Sequence, residues 1–374
     1  MTALRALAVG VGALIVLADL FDLVKSLVVP RPHVRGPVSS LISGGRRVLH
    51  LAAGTVRGFA ARDRFLAIGE PVLMLLRLFV WLGVGLSGFA LLIWGVGTSD
   101  LGHAFIESGS SIFTLGFASE RAAVPSVVVF IAAAFGLVVV ALQIAYLPAL
   151  YDAFNRRETL VTMLESRAGS PAWGPELLAR HYLVGIEGNL PAFYGDWERW
   201  SADVAESHTT YPILLYLRSP HPTNSWVVGL VAVLDSAALY LALCPSRAPA
   251  EARLCVRMGF TALRDIARVV RIPYDPDPMP DSPISISRQA FSEAVDRLVR
   301  AGVPIERTED EAWPHFVGWR INYESIAVAL ADIVHAPAAL WSGERSQRDD
   351  APVAPVRPVD RRPDQPEGRT AERT

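Results

Sequence analysis

Charged residues and cysteines are scarce in this sequence. Charged residues make up 19% of the 374 residues, the only cysteines are Cys244 and Cys255, and the formal net charge is −2. Two cysteines cannot build a disulfide framework and suit a reducing compartment. The near-neutral charge gives no basic surplus that would attract nucleic acid. Because the sequence also lacks a glycine-rich nucleotide fingerprint, metal-ligand spacing and a nucleophile with a nearby base, we predict neither an enzyme nor a bound cofactor.

Apolar residues, in contrast, make up 51% of the chain and are concentrated in long runs. Residues 72–96 and 126–150 are apolar on every face, and each is long enough to cross a bilayer core. A third run covers residues 6–28. A signal peptide is the alternative for this run, but no small-residue cleavage site precedes the charged residues near its end. The sequence therefore predicts three transmembrane helices.

A fourth apolar stretch, from Trp226 to Cys244, carries Asp235 and Ser236 at its centre. A carboxyl group in the middle of a span is expensive in lipid. We therefore predict that this stretch is a buried helix of a soluble domain and does not cross the membrane.

The composition divides the chain into five regions. A first span (1–30) and a basic cytoplasmic loop (31–70) precede a membrane domain (71–155), a soluble helical domain (156–343) and a disordered tail (344–374). The loop has seven arginines against two acidic residues, and positively charged loops stay in the cytoplasm. Parts of the loop are predicted to form an amphipathic helix on the inner membrane surface. This orientation makes the chain a multi-pass plasma-membrane protein whose C-terminal domain is cytoplasmic.

The 29 residues between the two strongest spans, 97–125, are too many for a simple hairpin. Ser99 or Asp100 can cap a short helix that ends just before Thr114. The apolar residues that follow are too few to cross the membrane alone. Irregular backbone at membrane depth is tolerated only where it is buried in protein or lines a water-filled path. We therefore predict a re-entrant loop that enters the membrane and returns to the same side.

The order of span, re-entrant helix, short extended segment and span resembles the pore module of potassium channels. The string Thr114-Leu115-Gly116-Phe117 is similar to the filter signature Thr-Val-Gly-Tyr of that family, and the resemblance covers residues 66–160. It implies an ion channel in which backbone carbonyls replace the hydration shell of a monovalent cation, with potassium as the expected ion. The implied selectivity filter consists of Thr114, Leu115, Gly116, Phe117 and Ala118. The glycine position needs left-handed backbone so that successive carbonyls face the ion path.

The sequence departs from the family signature around this string. Ala118 stands where the family has a second glycine, Phe113 where it usually has threonine, and Ser119 where aspartate is common. An L-residue in left-handed geometry costs about 1–2 kcal/mol, so either Ala118 is strained or the outermost carbonyl turns away. A nonselective cation pore is therefore one alternative. The other is a non-conducting, membrane-anchored sensor or scaffold in which the helical domain does the work.

A single pore loop in the chain implies a homotetramer, because four such loops surround an ion path. The last span would then line the inner pore. Gly136 is a candidate gating bend in that span, and close helix packing is an equally good interpretation. Gln143, the polar residue on the inner half, is a candidate for facing the cavity.

The soluble half predicts further helices separated by proline-rich breakers, at 158–167, 174–186, 195–207, 225–243, 250–271, 287–302 and 309–340. By analogy alone, this domain would tetramerise the assembly or sense a signal. The predicted fold class is thus an all-α membrane protein with three transmembrane helices, a re-entrant pore helix and filter, and a cytoplasmic α-helical domain.

Overall fold

The computed structural model describes residues 3–27, 36–118, 123–343 and 355, and these residues contain no β-strand. The predicted tail, 344–374, lies outside the described residues apart from Pro355. The all-α prediction is confirmed. The helices are α1 (Ala3–Leu27), α2 (Pro37–Thr55), α3 (Phe59–Val96), α4 (Leu101–Ile112), α5 (Ala123–Ala168), α6 (Gly174–Leu183), α7 (Leu190–Thr210), α8 (Trp226–Leu243), α9 (Ala250–Val270), α10 (Arg288–Arg300), α11 (Glu309–Arg320) and α12 (Glu324–Ile333), with 3₁₀ turns at Glu187–Asn189 and Pro212–Leu215.

Four of these helices, α1, α3, α5 and α8, are long and apolar enough to cross a membrane. By length and composition they are the helices of a membrane protein. Helix α8 differs from the other three in its surroundings. Protein buries 94% of its apolar window, compared with 28% in α1, 39% in α3 and 28% in α5. A helix that is apolar on every side and enclosed by other helices satisfies its hydrophobic surface without lipid.

Two compact units divide the chain. The first unit comprises residues 1–155 together with Glu206–Arg218, and the second comprises residues 156–205 and 219–374. The assignment of Glu206–Arg218 to the first unit has no counterpart in the sequence pattern. This segment includes the last turn of α7 and the 3₁₀ turn at Pro212–Leu215.

In the first unit, α1 packs closely along α3. A Cβ atom added to Gly12 would lie 2.7 Å from the carbonyl oxygen of Gly88, and one added to Gly95 would lie 2.9 Å from that of Arg5. Small residues let helix backbones approach in this way, which is the usual basis of helix association in lipid.

Polar side chains interrupt the α1–α3 contact near one end. Trp81 donates its indole N–H to a carboxylate oxygen of Asp22 at 3.0 Å, and the guanidinium of Arg77 lies 4.6 Å from the centre of the Trp81 ring. Asp19, one turn earlier, is only 2% exposed. Neither of its carboxyl oxygens has a hydrogen-bond partner among the described residues. The two carboxyl groups therefore differ in what they contribute.

We expect Asp22→Ala to destabilise the protein by about 1–3 kcal/mol more than Asp19→Ala, because it leaves the buried indole N–H of Trp81 without an acceptor. Both substitutions remove the same atoms, so the loss of volume is matched. Thermal unfolding of the two variants in one detergent measures the difference. Equal losses of stability would contradict the role given to Asp22.

Two predicted helix boundaries in the soluble half are wrong. The helix predicted at 158–167 is not separate, because α5 runs without a break from Ala123 to Ala168 and includes Pro148. The helix predicted at 309–340 is split into α11 and α12. The break occurs where Arg320 and Tyr323 both bind the carboxylate of Asp235 in the second unit. Burial of that carboxylate requires these partners, and a local helical pattern does not reveal them.

Candidate functional site

Helix α4 and the residues after it form the candidate site. The side chain of Asp100 accepts the backbone N–H of His103 at 2.9 Å, which caps the helix. The helix ends at Ile112, as the sequence predicts. It is fixed to α3 by the hydroxyl of Ser108, which donates to the carbonyl oxygen of Leu86 at 2.8 Å. The C-terminal half of α4 is thereby held against α3.

The backbone after α4 alternates in handedness. Thr114 has a φ of 54° and Gly116 a φ of 72°, both in the left-handed region. Glycine adopts this conformation without steric cost, whereas a threonine there is under strain. Ala118 does not belong to the described residues with positive φ. Of the two alternatives for Ala118, left-handed strain is therefore absent, and Thr114 is the non-glycine residue of this segment that has left-handed backbone.

Four successive amide groups of this segment turn toward one residue, Ser110. The amide nitrogens of Leu115 and Gly116 donate to the carbonyl oxygen of Ser110 at 2.8 and 3.4 Å. Those of Phe117 and Ala118 donate to its hydroxyl oxygen at 3.1 and 3.2 Å. Ser110 itself is buried. One serine thus accepts the backbone donors of residues 115–118.

The direction of the amides determines the direction of the carbonyls. In a trans peptide the C=O of one residue points opposite to the N–H of the next. Because the N–H groups of residues 115–118 face Ser110, the carbonyl oxygens of residues 114–117 point away from α4. We call these four carbonyl groups the carbonyl row.

Gly136 lies where α5 meets the end of α4. A Cβ atom added to Gly136 would be 2.1 Å from the carbonyl oxygen of Ile112 and 2.8 Å from its carbonyl carbon. Helix α5 continues through this position. The structure therefore places Gly136 in a backbone-to-backbone contact with α4. Gln143, two turns further along, is 6% exposed within the chain, and its role at a cavity stays a prediction.

A second cluster in the first unit is built by Glu206–Arg218, which we call the strap. The guanidinium of Arg218 forms an ion pair with Asp63 of α3, and both side chains are less than one-tenth exposed. The ring of Tyr211 lies edge-on to that of Tyr146 on α5, with centroids 5.5 Å apart. Leu214 and Leu217 join a buried cluster with Met74, Leu150 and Ala153. The strap thus touches both α3 and the part of α5 between Tyr146 and Ala153.

Helix α2 also contacts the strap. Arg46 makes a two-point ion pair with Glu70 at 2.7 and 2.9 Å, and its guanidinium lies 3.9 Å from the ring centre of Tyr216. His50 stands edge-on to the same ring at 6.2 Å. Burial lowers the pKa of His50. Three helices of the first unit are therefore tied together by one segment.

Sequence reasoning missed both Ser110 and the strap. A hydroxyl residue one helical turn before Thr114 is the signal that points to Ser110, since a serine at a helix C-terminus can reach the amides that follow. The strap has no comparable signal, because its partners Asp63, Tyr146 and Leu150 are distant in the chain.

We expect Ser110→Ala to loosen the segment after α4, because the amides of Phe117 and Ala118 lose their acceptor. One such hydrogen bond contributes about 1 kcal/mol, so amide hydrogen exchange at residues 117 and 118 should accelerate about fivefold or more. Ser111→Ala is the matched control, since the hydroxyl of Ser111 only donates to the carbonyl of Glu107 within α4 at 2.7 Å. Equal exchange rates in both variants would show that Ser110 does not hold the segment.

The site therefore consists of α4, the segment 113–118 with Ser110 behind it, and the contact between Gly136 and Ile112. Its parts come from α4, α5 and the chain between them. A comparison of the chain with protein-family models, with curated proteins and with solved structures finds no match.

Proposed function

We propose that this chain is one subunit of a tetrameric cation channel, with potassium as the conducted ion and residues 114–118 as the selectivity filter. The observation that carries the proposal is the bonding of four successive amides to Ser110. With the donors satisfied on one side, the carbonyl oxygens of residues 114–117 remain on the other side. Backbone carbonyl oxygens are the groups that replace the water molecules around the ion in a potassium filter.

The end of α4 supports the same function electrostatically. The carbonyl groups at a helix C-terminus carry a partial negative charge. In α4 this terminus, at Ile112, directly precedes the carbonyl row. A cation held by the row is therefore stabilised by the helix as well, whereas an anion is repelled. This charge arrangement favours cation conduction over anion conduction.

Assembly as a tetramer follows from the one filter segment per chain. The side chains of Leu115 and Phe117 are 62% and 69% exposed in the isolated chain. On α5, Phe130, Leu137 and Ile144 are 71%, 64% and 64% exposed. Lipid and neighbouring subunits would cover these surfaces in the assembly. In this proposal α1, α3 and α5 cross the plasma membrane, and the second unit is the cytoplasmic helical domain.

A nonselective cation channel is the second candidate, and the backbone at Ala118 favours it. Residues 114 and 116 are left-handed but Ala118 is not, so the alternation ends before the position of the family's second glycine. An outermost ring of carbonyls would then be missing. Potassium and sodium currents of an Ala118→Gly variant discriminate between the candidates. A rise in the potassium-to-sodium ratio supports the nonselective pore, and an unchanged ratio argues against it.

Ion flux in liposomes tests the channel itself. The full-length protein is reconstituted with potassium inside and sodium outside, and the wild type is compared with Gly116→Asp. We expect flux in the wild type and none in the variant, because a carboxylate at a left-handed position in the filter both strains the backbone and obstructs the carbonyl row. Gly188→Asp is the control, since a Cβ atom at Gly188 meets no other atom within 4 Å.

Equal flux in the wild type and in Gly116→Asp would overturn the assignment of the filter. Absence of flux in the wild type, together with a monomer or dimer in solution, would instead favour the membrane-anchored sensor or scaffold.

A further inference from the structure

Helix α9 of the second unit carries arginines along one side. They are Arg253, Arg257, Arg264, Arg268 and, at the C-terminal cap, Arg271. At about 100° of rotation per residue, their directions from the helix axis fall within about 60° of one another. The five residues therefore form one stripe along the helix, which we call the arginine stripe.

The two halves of the arginine stripe differ in their surroundings. In the C-terminal half, Arg268 donates to the hydroxyl of Tyr274 at 3.1 Å, and the guanidinium of Arg264 lies 6.0 Å from the centre of the same ring. In the N-terminal half, Arg253 and Arg257 are exposed. Their guanidinium groups make no hydrogen bond or ion pair with any described residue. The chain thus covers one half of the stripe and leaves the other half open.

An exposed apolar side chain stands beside the open half. Leu254 is 47% exposed and lies one helical turn before Arg257. Few large apolar side chains are exposed in the described part of the second unit; they are Met163, Leu183, Val184, Leu254, Met279 and Val299. We call Arg253, Leu254 and Arg257 the free patch. It combines two unpaired cations with one exposed apolar group.

The loop that follows α9 has the opposite charge. Residues 273–281, which we call the acidic loop, contain Asp275, Asp277 and Asp281 and no basic residue. All three aspartates are exposed. Met279, which stands between the last two, is 66% exposed, the highest value among the six apolar side chains. The acidic loop therefore combines an exposed apolar group with unpaired anions, as the free patch does with cations.

The acidic loop is ordered before it meets any partner. It contains four prolines, each of which fixes a backbone φ angle. The amide of Asp277 donates to the carboxylate of Asp275 at 2.9 Å, and the amide of Ser282 donates to the carbonyl oxygen of Met279 at 3.0 Å. A preorganised loop loses little conformational freedom when it binds.

We propose that the acidic loop of one copy of the chain docks on the free patch of a neighbouring copy. Met279 packs against Leu254, and the carboxylates of Asp277 and Asp281 pair with the two arginines of the patch. The inference rests on the tetramer of the proposed channel.

The symmetry of a tetramer suits this contact. The acidic loop and the free patch are different parts of the chain, so the contact is head-to-tail, and head-to-tail contacts close into a ring when the rotation between copies permits. Copies that are held together elsewhere meet at an effective concentration in the millimolar range. A small contact, repeated four times, is then sufficient to join the second units.

Cysteine cross-linking between two differently tagged, co-expressed full-length chains tests the proposal. One chain carries Leu254→Cys and the other Met279→Cys. Oxidation joins two cysteines only when their Cα atoms are about 4.4–6.8 Å apart, so we expect a covalent dimer that contains both tags. The native cysteines are both free and buried, and burial raises the pKa of Cys244 to about 12, so they should not react.

Position and charge are controlled separately. Val299→Cys replaces Leu254→Cys as the position control, because Val299 is 56% exposed but lies outside the free patch; it should give no mixed dimer. Arg253→Glu with Arg257→Glu should lower the yield of mixed dimer about tenfold, since each exposed ion pair changes an equilibrium about threefold. Asp277→Arg with Asp281→Arg in the other chain should restore the yield. Thermal unfolding checks that the charge variants are folded.

Four results would overturn the proposal. A tetramer that conducts ions but gives no mixed dimer would remove this contact and leave the proposed function intact. A mixed dimer that forms equally with Val299→Cys, or that survives the charge reversal, would show random collision. Nucleic acid that co-purifies with the wild type and not with the glutamate variant would assign the free patch to a polyanion. A monomer without ion flux would overturn the proposed channel and this contact together.

Discussion

Gly136→Ala is expected to destabilise the first unit, and Gly136→Val to prevent assembly altogether. The added Cβ atom would lie 2.1 Å from the carbonyl oxygen of Ile112, which belongs to backbone and cannot rotate away. Overpacking of a core by a small group costs about 1–3 kcal/mol, and a clash between two helices costs more because α4 or α5 must move as a whole. Displacement of α4 would also displace the segment 113–118 that follows it.

Thermal unfolding and the yield of assembled protein measure this effect. Gly83→Ala is the matched control, because a Cβ atom at Gly83 meets nothing within 4 Å and alanine is favoured over glycine in a helix by about 1 kcal/mol. The control should therefore be neutral or more stable than the wild type. The two interpretations of Gly136 differ in outcome. A pure gating bend would leave the unfolding temperature of Gly136→Ala unchanged and alter only channel opening.

The second large effect is expected at Arg218. Arg218→Met removes the partner of Asp63, whose side chain is 7% exposed. Removal of one member of a buried ion pair costs about 3–5 kcal/mol, because the remaining charge is left uncompensated. The strap should then detach from α3. The measurements are thermal unfolding and limited proteolysis within residues 206–218.

Arg156→Met is the matched control for this substitution. Arg156 pairs with Asp203 at 3.2 Å, but the two side chains are 49% and 32% exposed. Exposed pairs contribute about 0–1 kcal/mol, so this variant should remain close to the wild type. The double variant Asp63→Asn with Arg218→Met should recover part of the lost stability, since no buried charge remains. Similar losses in the two single arginine variants would contradict the buried pair.

In the proposed channel, the strap connects the second unit to the helix that opens and closes the pore. Tyr211 contacts Tyr146, and Leu214 and Leu217 pack with Leu150. In the proposed channel, these residues of α5 belong to the helix that lines the inner pore. Because the strap connects two segments of the second unit in the chain, a change there can reach α5 through it. The Arg218→Met variant should therefore change channel opening as well as stability.

Features that depend on neighbours in the chain were predictable from the sequence. The apolar runs predicted α1, α3 and α5, because a stretch of about 20 apolar residues has few alternatives to a membrane helix. Ser99 and Asp100 predicted the start of α4, because a cap acts on an amide two or three residues later, and the structure assigns the cap to Asp100. The carboxyl group of Asp235 predicted that α8 is enclosed by protein. Each of these inferences rests on local chemistry or on the cost of a single buried charge.

Features that depend on distant partners were not predictable. The packing role of Gly136 follows from the position of Ile112. The pair of Asp63 with Arg218 joins residues 155 positions apart. The sequence by itself therefore determined the helices and their apolar faces. Only the tertiary structure decided which carboxyl groups are paired and which glycine touches backbone, because these properties belong to contacts between elements and not to any one element.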